Sequence, residues 1–136
     1  MAERIIVFGL FCGVCYLGYL GLMRWQMRQV KRGAPTDPLL ADLRPNLPAI
    51  VYFTTPVCQV CQFQQTPVIE QLRREAGVQI VHVDAYAQPE IADRWGVLSA
   101  PTTFVLDTCG QPCAVNNGLA DAQTLRSQLG LTDGDR

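Results

Sequence analysis

The sequence has little net charge and only one histidine. Its 11 Lys and Arg residues nearly balance its 12 Asp and Glu residues, which gives a formal net charge of −1. Four basic residues within 24–32 are followed by a stretch, 33–136, that carries six basic and eleven acidic side chains. This distribution is unlike that of a nucleic-acid-binding protein, so no nucleic-acid partner is predicted. The histidine, His82, is expected on a strand near the sheet surface, not as a metal ligand or catalytic base.

Cysteine is also too sparse for a secreted disulfide scaffold, which would be shorter and denser in cysteine. The six cysteines of the 136 residues fall into three close pairs along the chain. Each pair can therefore have a different role.

One long stretch lacks charged residues altogether. Residues 5–23 form an uncharged run of 19 residues, close to the roughly 20 that cross a bilayer as a helix. We expect a single transmembrane anchor; the alternative is a cleaved signal peptide, although no small-x-small cleavage site precedes Arg24. Four basic residues follow the run and Trp25 lies at its expected interface, so the positive-inside rule predicts a cytoplasmic C-terminal domain. An extracytoplasmic domain is the alternative.

Small residues lie inside the predicted anchor. Gly9 and Gly13, with Gly21 two turns further on the same face, would allow another transmembrane helix to approach closely. Cys12 and Cys15 are expected to pack as small apolar residues, with electron transfer to another membrane dithiol as the alternative. Membrane lipid and a second transmembrane helix are therefore predicted partners.

The rest of the chain alternates strand and helix patterns. Residues 33–47 contain three prolines, which predicts a linker. The predicted divisions are therefore an anchor with a basic collar at 1–32, a linker at 33–47 and a domain at 48–136. Apolar runs predict strands at 49–53, 78–83, 102–106 and 113–116, and helical patterns occupy 59–76, 89–95 and 121–129. Pro67 is expected to kink the first of these helices. The order βαβαββα predicts an α/β fold with a four-stranded mixed sheet.

Cys58-Gln59-Val60-Cys61 stands where the first of these strands gives way to the first of these helices. Thiol–disulfide exchange needs a thiolate that attacks and a second thiol that resolves the mixed disulfide. The start of a helix favours the thiolate, so Cys58 is predicted to be the exposed nucleophile and Cys61 the buried resolving thiol. A zinc site is the alternative, but it would need two more ligands. We predict neither a metal nor a cofactor.

Cys109 and Cys113 flank Gly110-Gln111-Pro112 in the predicted hairpin turn. They could close a second disulfide, form a redox relay or remain free thiols. They could also complete a zinc site with Cys58 and Cys61, but the spacing is not that of a familiar zinc ribbon.

Residues 48–130 resemble the thioredoxin family. The matching pieces are the strand at 50–53, Cys58-Gln59-Val60-Cys61, Val81-His82-Val83-Asp84, Trp95-Gly96-Val97-Leu98-Ser99-Ala100-Pro101-Thr102, the turn at Gly110, and Gly118. The resemblance implies a thioredoxin-like fold in which Pro101 follows a cis peptide bond and faces the dithiol; an ordinary trans proline is the alternative. It also implies that Ala100 pairs with substrate through its backbone, and that Val57, where the family often has Trp, contacts substrate.

Other departures from the family qualify its activity. Gln59-Val60 replaces the usual Gly-Pro, and Tyr52 and Ile80 stand where the family has a buried acid and its Lys partner. The expected function is a membrane-anchored thiol–disulfide oxidoreductase that exchanges protein disulfides more slowly or more selectively than a general reductase. The alternative is a thioredoxin-like accessory subunit of a larger membrane complex, without essential redox turnover.

Overall fold

The computed structural model describes residues 1–33 and 37–131, and the helices and strands follow the predicted order. Residues 34–36 of the predicted linker and 132–136 of the predicted domain lie outside this part of the chain. The elements are α1 (Ala2–Gly33), a 3₁₀ turn (Pro38–Leu40), β1 (Ala49–Thr54), a π-turn (Cys61–Gln65) that leads into α2 (Thr66–Ala76), β2 (Gln79–Asp84), α3 (Pro89–Arg94), β3 (Thr102–Leu106), β4 (Pro112–Asn117) and α4 (Ala122–Gln128).

The four strands form one mixed sheet in the order β2-β1-β3-β4. β1 pairs with β2 in parallel and with β3 antiparallel, and β3 and β4 form an antiparallel pair, which confirms the predicted fold class. Because Thr102 pairs with Phe53 and Asn117, these residues mark one end of the sheet, here called the Thr102 edge. Leu106 pairs with Ala49 and with Pro112, and this opposite end is called the Leu106 edge.

Apolar side chains cover both faces of the sheet. Every residue of β1 and β3 is buried, as expected for strands whose side chains alternate between two covered faces. On one face, Phe53, Trp95 and Phe104 pack with ring centroids 5.1–6.0 Å apart. On the other, Ile50 and Tyr52 pack with Ile69 of α2. The molecule therefore has a separate apolar cluster on each face.

α1 is a single continuous helix of 32 residues. By length and composition it is the one helix in the described part of the chain that is apolar enough to cross a membrane, and a signal sequence would meet the same criteria. Residues 2–19 of this helix are exposed, but near its end Gln26 and Val30 are buried against the sheet. The Gln26 side chain donates to the Gly96 carbonyl (2.8 Å) and accepts from the Asn117 amide (3.1 Å). The predicted basic collar is therefore also a packed part of the fold.

Within the predicted linker, the chain is held to α3 through Asp37. The buried Asp37 carboxylate accepts both Nε–H and Nη2–H bonds from Arg94 at 3.0 Å and an indole N–H bond from Trp95 at 2.9 Å. It also caps the 3₁₀ turn by accepting from the Leu39 N–H. Burial alone would raise the pKa of Asp37, but the bonds from Arg94, Leu39 and Trp95 together lower it below its ordinary value of 3.8.

We expect Asp37→Asn to destabilise the protein by about 1–3 kcal/mol, because it removes charged hydrogen bonds and leaves Arg94 without its partner. Since folding lowers the pKa of Asp37, its contribution is present above pH 3.8 and is lost as the pH falls through the lower folded value. Urea unfolding of the full chain in detergent micelles, at pH 7 and at pH 3, measures both effects. Asp42→Asn, at an exposed position in the same segment, is the control. Equal stability of the two variants at pH 7 would contradict the assignment.

Candidate functional site

Cys58 and Cys61 lie at the start of the helix that follows β1 and are joined by a disulfide, with their Cα atoms 5.2 Å apart. The Sγ of Cys58 accepts the backbone N–H of Cys61 at 3.1 Å, as a capping side chain does for the first turn of a helix. Such a donor, together with the helix dipole, favours negative charge on this sulfur once the disulfide is opened. Cys58 is half-buried and Cys61 is fully buried, so Cys58 is the sulfur that a second molecule can reach.

The helix after the dithiol is irregular where Pro67 was predicted to kink it. Residues Cys61–Gln65 form a π-turn, in which the Thr66 N–H bonds to the Cys61 carbonyl five residues back. Proline cannot donate to the helix and its ring clashes with the carbonyl four residues earlier, so a widened turn just before Pro67 relieves both problems. The irregularity therefore falls directly beside the resolving cysteine.

The Ala100–Pro101 peptide bond is cis, as the resemblance implied. Pro101 lies directly before β3 at the Thr102 edge, and its carbonyl accepts a hydrogen bond from the N–H of Gly118 at 2.8 Å. Ala100 and Cys58 pack against the same buried cluster. A largely apolar cleft of about 240 Å³ runs from Thr55 to Ala100. Thr55 lies three residues before Cys58, and Ala100 lies directly before Pro101, so the cleft lies beside the dithiol loop.

Tyr52 lies beneath the dithiol, at the position where the family has a buried acid. Its hydroxyl lies 3.1 Å from the Cys61 carbonyl, to which it donates, and 3.1 Å from the Thr66 hydroxyl. Its ring stacks on His82 (centroids 5.3 Å apart), whose Nε2 lies 2.9 Å from the Thr54 hydroxyl. Burial raises the pKa of Tyr52 above 10, with a smaller opposing effect from the Thr66 hydrogen bond. The phenol thus stays protonated at neutral pH and positions the Cys61 backbone.

Sequence reasoning missed Gln65, which joins the dithiol helix to the end of the sheet. Its buried side chain donates to the Ala120 carbonyl at 3.0 Å and accepts from the Ala120 N–H at 2.8 Å. The same loop contains Gly118, which bonds to Pro101. Gln65 therefore fixes the loop on one side of the site. The only signal in the sequence was a polar residue one turn after Cys61 on a helix face that is otherwise apolar.

The remaining predicted site residues lie in two places. Val57, directly before the dithiol, is 87% exposed and available for contact. Cys109 lies in the turn at the Leu106 edge and Cys113 lies at the start of β4, away from the dithiol, and both thiols are free in the structure. Burial and the nearby Asp107 carboxylate raise the pKa of the Cys113 thiol, despite an opposing effect of Lys31. The structure thus does not bring the four cysteines considered for a zinc site together, and a second disulfide stays a prediction.

Comparison with known proteins agrees with this geometry. The sequence profile of the family described as Thioredoxin matches residues 39–130, which is more than half of the chain. The chain belongs to the thioredoxin family. It is similar to a thioredoxin from Pyropia yezoensis, with 29% identity over 86 residues that cover 62% of this chain and 78% of the relative.

Solved structures of similar fold include two thioredoxins. One is a mutant thioredoxin from Halobacterium salinarum, with a TM-score of 0.56 and 24% identity, covering 62% of this chain and 73% of the other. The second is the thioredoxin of Fasciola hepatica, with a TM-score of 0.55 and 24% identity, covering 63% and 81%. At these identities the likeness shows the fold.

We expect Tyr52→Phe to leave the pH dependence of Cys58 reactivity unchanged, because burial raises the pKa of the Tyr52 phenol and keeps it protonated near neutral pH. Loss of its hydrogen bonds to Cys61 and Thr66 should lower the free energy of unfolding by about 0.5–1.5 kcal/mol. Alkylation of the reduced protein by iodoacetamide at pH 5–9, followed at Cys58 by peptide mass spectrometry, measures the first effect. Tyr86→Phe, at an exposed tyrosine, is the matched control. A shifted alkylation profile in Tyr52→Phe alone would contradict the structural role.

Proposed function

We propose that the protein is a membrane-anchored thiol–disulfide oxidoreductase that exchanges disulfides with other proteins. The observation that carries the proposal is the Cys58 sulfur at a helix start, accepting the Cys61 N–H, with Cys61 buried behind it. Family membership supports protein dithiols or disulfides as the substrate class. Cys58 is the proposed nucleophile and Cys61 the resolving thiol.

The exchange needs no electron donor or acceptor other than the dithiol and its substrate. Starting from the Cys58–Cys61 disulfide, a substrate thiolate attacks Cys58; the bond to Cys61 breaks and Cys61 leaves as a thiolate that takes a proton from water. The second substrate thiolate then attacks the substrate sulfur of this mixed disulfide, which forms the substrate disulfide and releases Cys58. Two electrons pass from substrate to enzyme, and the reverse sequence starts from the reduced dithiol.

Substrate binding is proposed for the cleft beside Pro101. The backbone of Ala100 would pair with an extended substrate segment, and the exposed Val57 would contact its side chains. Because the raised pKa of Tyr52 keeps its phenol protonated at neutral pH, water supplies the proton of Cys61 when the disulfide opens and takes it back in the reverse direction. Tyr52 beneath Cys61, in place of an acid that could transfer the proton, supports an enzyme slower or more selective than a general reductase.

Cys61→Ser should accumulate mixed disulfides through Cys58, because the resolving thiol is gone, while Cys58→Ser should trap nothing. Non-reducing gels and mass spectrometry of membranes that carry the full chain detect the trapped species. Reduction of insulin by the wild-type protein, with dithiothreitol as the reductant, tests turnover directly. Cys113→Ser, which removes a thiol at the Leu106 edge, is the control and should behave as wild type. The absence of both trapped species and insulin reduction would overturn the proposal.

The proposed location places residues 5–23 across the membrane, with 1–32 as anchor and collar, 33–47 as linker, and 48–136 as a domain on the cytoplasmic side. The apolar length of α1 and the basic residues after it support this arrangement. The alternative is an extracytoplasmic domain.

Cys109 reports the side of the membrane, since its thiol is exposed and lies outside α1. In a Cys58→Ser/Cys61→Ser chain, a membrane-impermeant maleimide should label Cys109 only after the cells are permeabilised. Cys109→Ser in the same background shows how much signal comes from other thiols. Equal labelling of Cys109 in intact cells would place the domain outside.

A second candidate is an accessory role within a membrane complex. The positions of Gly9, Gly13 and Gly21 on α1 have open space around them, and close packing by another transmembrane helix would use this face. A Cys58→Ser/Cys61→Ser chain that still assembles and functions would favour this role. Assembly without function would favour the enzyme.

A further inference from the structure

The apolar part of α1 leaves the domain at the Thr102 edge. Met23 and Asn117 line one cleft, Gln26 is hydrogen-bonded to Asn117, and Lys31 lies close enough to Cys113 to act on its thiol electrostatically. The eight steps along the helix from residue 23 to residue 31 span about 12 Å, and the four steps along the strand from residue 113 to residue 117 span about 13 Å. α1 thus runs antiparallel to β4 along its length, and the apolar residues before Met23 extend beyond the Thr102 edge.

The same edge carries the dithiol. Cys58 follows the end of β1, and Pro101 precedes the start of β3, where Thr102 pairs with Asn117. The uncharged run ends at Met23, three residues or about 4.5 Å along the helix before Gln26. The polar layer on each side of a bilayer is about 5–7 Å thick. If residues 5–23 span the hydrocarbon core, the dithiol edge lies at the level of the lipid headgroups.

The loops at this edge carry exposed apolar side chains. One follows β1, one follows β2, one precedes β3 and one follows β4; their exposed residues are Val57 (87%), Tyr86 (81%), Leu98 (67%) and Leu119 (51%). Two more, Val60 and Phe63, lie on the dithiol helix itself. Outside α1, Leu47 is the only large exposed apolar residue near the Leu106 edge among the described residues. The apolar surface is thus concentrated on the side that faces the bilayer.

We infer that the substrate of this dithiol is a cysteine pair in another membrane-embedded protein, held in the headgroup layer on the same side of the membrane. The inference rests on the proposed oxidoreductase function and the same balanced exchange. The docked helix fixes the height of Cys58 relative to the membrane. The exposed apolar residues of the four loops at the Thr102 edge, here called the apolar rim, match a substrate segment at the membrane interface better than a fully solvated one. A substrate confined to the same bilayer meets the dithiol at that height, whereas a soluble protein must enter between the domain and the lipid.

The test compares disulfide probes with the full chain reconstituted in lipid nanodiscs. The first probe is a transmembrane peptide with a disulfide loop within three residues of its apolar span. The second has the same loop after a flexible spacer of about twenty residues, which lets it move roughly 25 Å from the membrane. Insulin is the soluble probe. We expect the reduced chain to reduce the first probe at least about tenfold faster than the second.

A variant of the protein with a flexible insertion tests whether the preference comes from the fixed height of the dithiol or from the sequence of the probe peptide. A twenty-residue Gly/Ser segment inserted between Gly21 and Leu22 frees the domain from its fixed height but leaves the contacts of Met23 and Gln26 intact. The preference for the first probe should then fall to about threefold or less, with insulin reduction equal to or faster than that of the native chain. If the native chain shows no preference, or the preference survives the insertion, while insulin is reduced, the inference is overturned and the proposed function stands. No reaction with any probe overturns both.

The apolar rim is tested by a matched pair of variants. Leu119→Ser removes an exposed apolar side chain from the Thr102 edge, and Leu47→Ser does the same near the Leu106 edge. We expect Leu119→Ser to slow reduction of the first probe about threefold or more, since the rim contacts that segment, and Leu47→Ser to leave it unchanged. Equal effects of the two substitutions would overturn the role of the rim.

Discussion

The position of the sheet relative to α1 depends on one buried side-chain amide, that of Gln26. A buried amide without partners is unfavourable by roughly 1–3 kcal/mol, and this one satisfies both ends only between the Gly96 carbonyl and the Asn117 side chain. Those partners lie 70 and 91 residues away along the chain. Because both must be reached at once, α1 has one rotation and one height against the sheet. The direction in which its apolar part leaves the domain follows from that contact.

The dithiol site relies on fixed hydrogen bonds, not on a second titrating group. Tyr52 gives its hydroxyl hydrogen to the Cys61 carbonyl, and its raised pKa keeps that hydrogen in place at neutral pH. Stabilisation of a Cys58 thiolate is left to the Cys61 N–H and the helix start. The Gln65 side chain secures the neighbouring loop in the same way, through the backbone of Ala120. Tyr52 and Gln65 therefore both hold the backbone around the cysteines through hydrogen bonds.

Local patterns predicted most of the fold, and long-range contacts account for what they missed. The strand at Thr102–Leu106 was predicted to the residue because a β-branched apolar run begins after Pro101. The dithiol is a local motif, so its position was also predicted. The hydrogen bonds of Gln26 and the Asp37–Trp95 bond join residues 58 or more positions apart. A local sequence pattern cannot predict contacts between residues so far apart in the chain. A weak signal was present: Met23, Met27 and Val30 are spaced as one helix face where the uncharged run gives way to the basic stretch.

The proposed position of the dithiol beside a membrane changes what its chemistry must supply. A soluble reductase meets its substrates by diffusion in three dimensions, so fast proton transfer at the resolving thiol raises its turnover. A dithiol held at one height shares a thin layer with any substrate in the same bilayer, and its effective concentration there is far higher. Under that condition the occupied fraction of the dithiol is higher, so a slower step after binding still supports useful turnover. The loss of an acid beneath Cys61 and the rigid docking of α1 are therefore compatible features of one design.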